Sequence, residues 1–179
     1  PTGSVIQNNI WIKKDDIHRW DYQVSDTVYQ YSTIGYYYTH NDVDRVFEPG
    51  TYDLSPLVDA PMSTPYIGKT LLSCPNGTIF RSTTGNPDDV ILDAKGVNAR
   101  ILVVQSGCEV WNLTFKGGNA CGLTGTQSYN VGGAIGTTGG TVCLVKNCKF
   151  IGNRHLGNNL FTVLRVCGTG VQVRSCLFE

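Results

Sequence analysis

Charge is scarce in this chain of 179 residues: Asp, Glu, Lys and Arg make up 16 %, against 41 % hydrophobic residues. A disordered polymer needs the opposite balance. An excess of one sign is also missing, because fourteen bases offset fourteen acids. Without a basic field, a nucleic-acid partner is not expected. No apolar run approaches the roughly 18 residues that span a bilayer, so membrane insertion is not expected either. His18, His40 and His155 lie far apart and no CxxC pair occurs, so zinc spacing is absent and no cofactor is expected. A GxSxG nucleophile turn is lacking. The chain begins at Pro1 with neither an initiator Met nor a signal peptide and reads either as a processed product or as an excised piece.

Other scarcities are local. Pro is absent after Pro87, and the only acids after Asp93 are Glu109 and Glu179. Residues 1–93 carry twelve acids and six bases, a balance of −6; residues 94–179 carry two acids and eight bases, a balance of +6. Six of the seven Cys and fifteen of the 21 Gly follow Asp93, whereas seven of the nine Tyr lie at or before Tyr52. The composition therefore changes near residues 85–95. Residues 1–45 read as an aromatic-rich cap or extension, and 46–179 as a repetitive body. The length suits one core rather than two full domains.

The body repeats itself. Val110-Trp111-Asn112-Leu113-Thr114-Phe115, Val145-Lys146-Asn147-Cys148-Lys149-Phe150 and Val173-Arg174-Ser175-Cys176-Leu177-Phe178 share the pattern Val-x-(Asn/Ser)-(Leu/Cys)-x-Phe. The Phe residues are 35 and 28 positions apart. A fixed pattern at a slightly variable period marks a solenoid. Val, Thr, Phe and Cys favour strands, Gly pairs such as Gly117-Gly118 and Gly132-Gly133 supply bends, and no long helical periodicity competes. The expected fold is all-β: a parallel β-helix in which Val110, Val145 and Val173, and Phe115, Phe150 and Phe178, form a core ladder.

The polar position has two readings. Asn112, Asn147 and Ser175 would fall in one column, where Asn tolerates the left-handed conformation of a sharp bend and can hydrogen-bond along the axis. Asn112-Leu113-Thr114 is also a glycosylation sequon, as is Asn76-Gly77-Thr78, the better candidate in its Pro- and Gly-flanked turn. Cysteine follows the same arithmetic. Cys108 and Cys143 lie seven residues before their Phe, and Cys148 and Cys176 two before theirs. Neighbouring layers are about 4.8 Å apart, within reach of a disulfide. Stacked free thiols filling the core are the alternative. Cys74, Cys121 and Cys167 remain, an odd number.

Gly132-Gly133-Ala134-Ile135 matches a GGA(I/L/V) motif, and Phe150-Ile151-Gly152-Asn153 matches FxxN. Together they resemble the repeats of chlamydial polymorphic outer-membrane proteins and related secreted β-helix proteins. Val90 to Ala120 resembles the opening coils of bacterial right-handed β-helix proteins, and Glu48-Pro49-Gly50-Thr51-Tyr52-Asp53-Leu54 resembles the strand that often begins them. The resemblance covers about residues 46–179. It implies a right-handed solenoid and surface display, adhesion or scaffolding more often than catalysis. The chain departs from the family in its few repeats and its lack of an autotransporter barrel.

The body is too poor in acids to build a hydrolase or lyase site on its coils. Asp88, Asp89 and Asp93 form its one acidic cluster, and Asn86-Pro87-Asp88-Asp89 reads first as a turn. The aromatic segment with Trp11, Trp20 and Tyr36-Tyr37-Tyr38 reads as a cap or subunit contact, with sugar stacking as the alternative. The third repeat stops at Phe178-Glu179 with no polar cap, which leaves two possibilities: a second copy stacked head to tail, or a longer repeat chain. The expectation is a secreted or cell-surface structural or adhesive protein that assembles end to end. Its partners would be itself and, through surface bases, glycans. A carbohydrate-binding or polysaccharide-cleaving protein is the alternative.

Overall fold

A computed structural model describes residues 8–12, 23–25, 28–29, 43–59, 70–74, 76–120, 132–137, 142–155, 163–165 and 170–179. Cys121, Cys167, Trp20, the Tyr36–Tyr38 run, His18 and His40 lie outside the described residues. More than half of the described residues are strand, the helical ones form two short 3-10 turns, and three of the four sheets are parallel throughout. The fold is all-β.

The first sheet holds β1 (Asn8–Ile12), β4 (Val43–Phe47), β7 (Ile79–Ser82), β10 (Cys108–Trp111), β13 (Cys143–Lys146) and β16 (Gln172–Arg174), in that spatial order. The second holds β5 (Gly50–Asp53), β8 (Val90–Asp93), β11 (Thr114–Lys116), β14 (Lys149–Ile151) and β17 (Leu177–Phe178). The third holds β6 (Thr70–Cys74), β9 (Arg100–Val104), β12 (Ile135–Thr137) and β15 (Leu164–Arg165). From Val43 onward the chain visits first, second and third sheet in turn, and each visit lays a strand beside the previous one. A short antiparallel pair, β2 (Gln23–Ser25) and β3 (Val28–Tyr29), stands apart. The expected boundary at residue 46 falls inside β4, and β1, from the expected extension, pairs with β4 in the same sheet.

Alternation along each strand decides what is buried. In the second sheet, Tyr52, Leu92, Phe115, Phe150 and Phe178 are register partners in one inward column. The Phe115 and Phe150 rings stack at 5.4 Å, and those of Phe150 and Phe178 at 4.8 Å. In the first sheet the matching column is Phe80, Val110, Val145 and Val173. Leu72, Leu102, Ile135 and Leu164 form the column in the third. Each buried aliphatic or aromatic side chain contributes about 1.5–3 kcal/mol relative to exposure.

Burial along the ladder is uneven: Val110, Phe115, Val145 and Phe150 are fully buried, whereas Val173 is 39 % and Phe178 48 % exposed. Both keep their register in the columns but belong to the last described layer, and no strand among the described residues lies over it.

From β10 onward the corners between first and second sheet are tight and alike: only two residues separate β10 from β11, β13 from β14 and β16 from β17, whereas residues 83–89 link β7 to β8. The links from second to third sheet vary, running over residues 94–99, 117–134 and 152–163. Backbones approach very closely at this second corner. A Cβ on Gly118 would lie 2.1 Å from the Gly133 carbonyl oxygen, and one on Gly133 would lie 2.4 Å from the Arg154 oxygen. Only hydrogen fits at either position.

Two cations are interior. Arg45 is 2 % exposed, with its guanidinium 5.7 Å from the Phe80 ring centroid. Arg100 is 1 % exposed and donates from Nε to the Gly132 oxygen. Gly136 makes room for Arg100, because a Cβ there would lie 2.7 Å from the guanidinium carbon.

Asp93 closes the second sheet. It accepts from the Lys95 backbone N–H at 2.8 Å, and the ammonium groups of Lys95 and Lys116 lie 3.3 and 3.4 Å away. Burial alone would raise its pKa; the Lys95 hydrogen bonds and the two cations outweigh burial and leave it lowered. A lowered carboxyl contributes stability above its unfolded pKa and loses it as pH falls through the folded value. Asp93→Asn should therefore reduce the melting temperature most at neutral pH. The gap to the native protein should close as pH falls through the folded pKa of Asp93, as read by thermal melts across the acid range.

Candidate functional site

Two features combine chemistry with exposure: the ladder at the tight corner and the uncovered last layer above it.

At the corner, Asn112, Asn147 and Ser175 have φ of 57°, 49° and 51°. Left-handed backbone disfavours a Cβ-bearing residue unless a short polar side chain compensates by bonding locally. Asn147 Nδ2 donates to Asn112 Oδ1 at 2.9 Å and to the Gly85 oxygen at 2.8 Å, while Asn112 Nδ2 donates to the Thr84 oxygen at 3.2 Å. The polar column thus ties successive layers together outside the core. Asn147→Ala should cost about 2 kcal/mol, from a left-handed Cβ and lost hydrogen bonds, whereas Asn147→Gly keeps the backbone and should cost about half that. Denaturant unfolding of the two variants separates these contributions.

The same geometry bears on glycosylation. In the folded chain Asn112 spends its amide on the ladder, and its sequon partner Thr114 is 1 % exposed, donating to the Pro87 oxygen at 2.8 Å. Of the two readings of Asn112, these bonds favour the corner ladder. Asn76 is exposed and its Oδ1 accepts from the Ser106 N–H at 3.1 Å, but the Thr78 of its sequon is 1 % exposed.

Cys108 and Cys143 are register partners on the first sheet, and Cys148 and Cys176 adjoin at the corner. All four, and Cys74, are free thiols. Cys108 Sγ donates to the Cys74 oxygen at 3.1 Å. Burial pushes the thiols of Cys74 and Cys148 well up, and that of Cys143 to about 11. Cys108 and Cys176 differ: a hydrogen bond with the Cys74 thiol outweighs burial and lowers Cys108, and one with the Cys148 thiol holds Cys176 at about 7.

The acidic cluster is occupied by structural bonds. Asp88 pairs with Lys149, and Asp89 accepts from Asn86 Nδ2 at 3.0 Å at the start of a short 3-10 turn. Asp93 is held by its two lysines. No group of three or more His, Cys, Asp or Glu among the described residues is placed to hold a metal. No described helix is long and apolar enough to cross a membrane. A shallow hollow of about 250 Å³ at the second corner is lined by Gly96, Gly117, Gly118, Asn119, Gly152 and Arg154.

The last described layer leaves three large apolar side chains partly uncovered. Val173, Leu177 and Phe178 are 39 %, 44 % and 48 % exposed, over columns that are fully buried one layer below. β16 and β17 are edge strands. Exposed apolar edges are where further strands add.

Position x of the Val-x pattern was not singled out from the sequence. It places Arg81, Trp111, Lys146 and Arg174 in one register column on the outer face of the first sheet. The signal was present, since x follows the inward Val each time and must face outward. Trp111 Nε1 is buried with no hydrogen-bond partner, a deficit of about 1–3 kcal/mol for a buried donor.

No family model matches this chain, and comparisons with curated proteins and with solved structures find no match.

Proposed function

We propose that this chain is a right-handed parallel β-helix acting as a secreted or cell-surface structural and adhesive element, and that it assembles end to end with further copies of itself. The solenoid is supported by the cyclic visit to three parallel sheets in register. Right-handedness follows from the strong preference of parallel crossover connections. Surface display rests on the resemblance of its GGAI and FxxN motifs to secreted repeat proteins.

The observation that carries assembly is the last layer. Its apolar columns continue the core but are half exposed at Val173, Leu177 and Phe178. A second copy offering strand edges in the same parallel sense would bury them. Charge supports the polarity, since the first 93 residues sum to −6 and the rest to +6. Its range is limited to about 8–10 Å at physiological salt. A head-to-tail contact of this kind does not close, and so gives a filament.

Sedimentation velocity and electron microscopy of the 179-residue chain test the proposal. Fibres growing with concentration are expected, and Phe178→Asp should abolish them while leaving the monomer folded. A native chain that stays monomeric at high concentration would overturn it. The exposed layer would then belong to contact with a different element. Cleavage of acidic polysaccharide has less support, because Asp88, Asp89 and Asp93 are each committed to a structural bond.

A further inference from the structure

We propose that the outer face of the first sheet binds an acidic polysaccharide, carrying carboxylate or sulfate groups, along the file Arg81, Trp111, Lys146 and Arg174. The site names a ligand class for the adhesive function, resting on that proposal for its biological use but not on end-to-end assembly for its geometry. Register alone builds the file: Arg81 opposes Trp111, Trp111 opposes Lys146, and Lys146 opposes Arg174. The inward neighbours Phe80, Val110, Val145 and Val173 fix all four to the other face. Their spacing is one layer, about 4.8 Å. A sugar in an extended polysaccharide advances by nearly the same step, so acidic groups on successive sugars can meet successive layers.

None of the three cations forms an ion pair among the described residues; the pairs present are Asp93 with Lys95 and Lys116, and Asp88 with Lys149. Arg174 donates only to Gln172 Oε1. Trp111 adds an aromatic element: its ring nitrogen is buried, but the ring is half-buried, and its exposed part is a surface on which a pyranose can pack between cations. The second sheet shows the contrast. Its comparable column, which also follows the inward residue, is Asp53, Asp93, Lys116 and Ile151, and its one cation is already paired to Asp93.

The file is also narrow. The adjacent outward column is Ile79, Glu109, Leu144 and Gln172, with one acid and no cation, and Val46 below Arg81 is buried. A single polymer strand fits such a width. A nucleic-acid duplex wants a broad basic field, which a chain of zero net charge lacks.

Affinity electrophoresis in gels containing alginate, dextran sulfate or neutral dextran tests the site. Native protein should be retarded by alginate, dextran sulfate or both, and not by dextran; the retarding polymer identifies the acidic group. Lys146→Glu and Arg174→Glu should each weaken binding about tenfold, and Trp111→Leu, which removes the ring, about threefold. Arg154→Glu makes the same charge change away from the file and should alter binding less than about twofold, as a rim charge with no ligand contact. Melting curves verify that each variant is folded. Failure to bind either acidic polymer, an equal loss with Arg154→Glu, or tighter binding to duplex DNA would overturn the site. Sedimentation of the same variants separates the two proposals: fibres that form without glycan binding leave assembly standing, and binding by a monomer leaves the site standing.

Discussion

Gly133→Ala should be among the most damaging single substitutions in this chain, costing about 3 kcal/mol or more and lowering the melting temperature by about 10 °C. The expectation rests on backbone, not on side-chain repacking. A Cβ at residue 133 would meet the Arg154 oxygen at 2.4 Å, the Arg154 nitrogen at 2.9 Å and the Gly118 oxygen at 3.0 Å. Rotamer changes cannot move those atoms. They are fixed by hydrogen bonds from Ala120 N–H to the Arg154 oxygen and from Arg154 N–H to the Gly118 oxygen. Relief requires prising two layers apart. Gly152→Ala is the natural comparison. Nothing lies within 4 Å of its Cβ position, and only its φ of 58° resists, so about 1–2 kcal/mol is expected. Should Gly133→Ala prove as mild as Gly152→Ala, the close approach at this corner is wrong.

Phe150→Ala should cost about 3–5 kcal/mol, the usual range for deleting a buried aromatic side chain. Phe150 is fully buried between Phe115 and Phe178, so truncation loses two ring stacks and leaves a void in the interior column. Phe178→Ala removes the same group in the same register, yet should cost about 1 kcal/mol, because its ring is 48 % exposed. The pair is informative because chemistry and column are held constant while coverage changes. In the assembled form the difference should shrink, since a stacked copy would cover Phe178. Urea unfolding at low concentration, followed by melts under assembling conditions, reads both regimes.

The sequence carried the last three layers clearly and the earlier ones poorly. Val-x-(Asn/Ser)-(Leu/Cys)-x-Phe is legible because each position answers a separate physical demand. Val and Phe fill interior columns, and Asn or Ser accepts positive φ at a two-residue corner. Below them the same demands are met differently. Tyr52 and Leu92 occupy the Phe column, and Phe80 the Val column above Arg45. The corresponding link from β7 to β8 spans residues 83–89, so no short pattern survives. The third sheet left no repeat because the links leading to it vary in length. Buried Arg45 and Arg100 were invisible to composition, since bases in a strand-rich chain read as solvated residues. Asp88 and Asp93 stood out as a cluster, but only the coordinates show their carboxylates engaged by Lys149, Lys95 and Lys116.

The contrast between the two kinds of corner has an evolutionary corollary. From β10 onward the two-residue bend sets the phase of each layer and leaves no room for added chain. Residues 94–99, 117–134 and 152–163 bridge equivalent points with very different lengths, so the architecture already accepts foreign sequence there. Novelty, whether acquired by natural drift or spliced in by a designer, should accumulate along that one edge and leave the remaining faces unaltered.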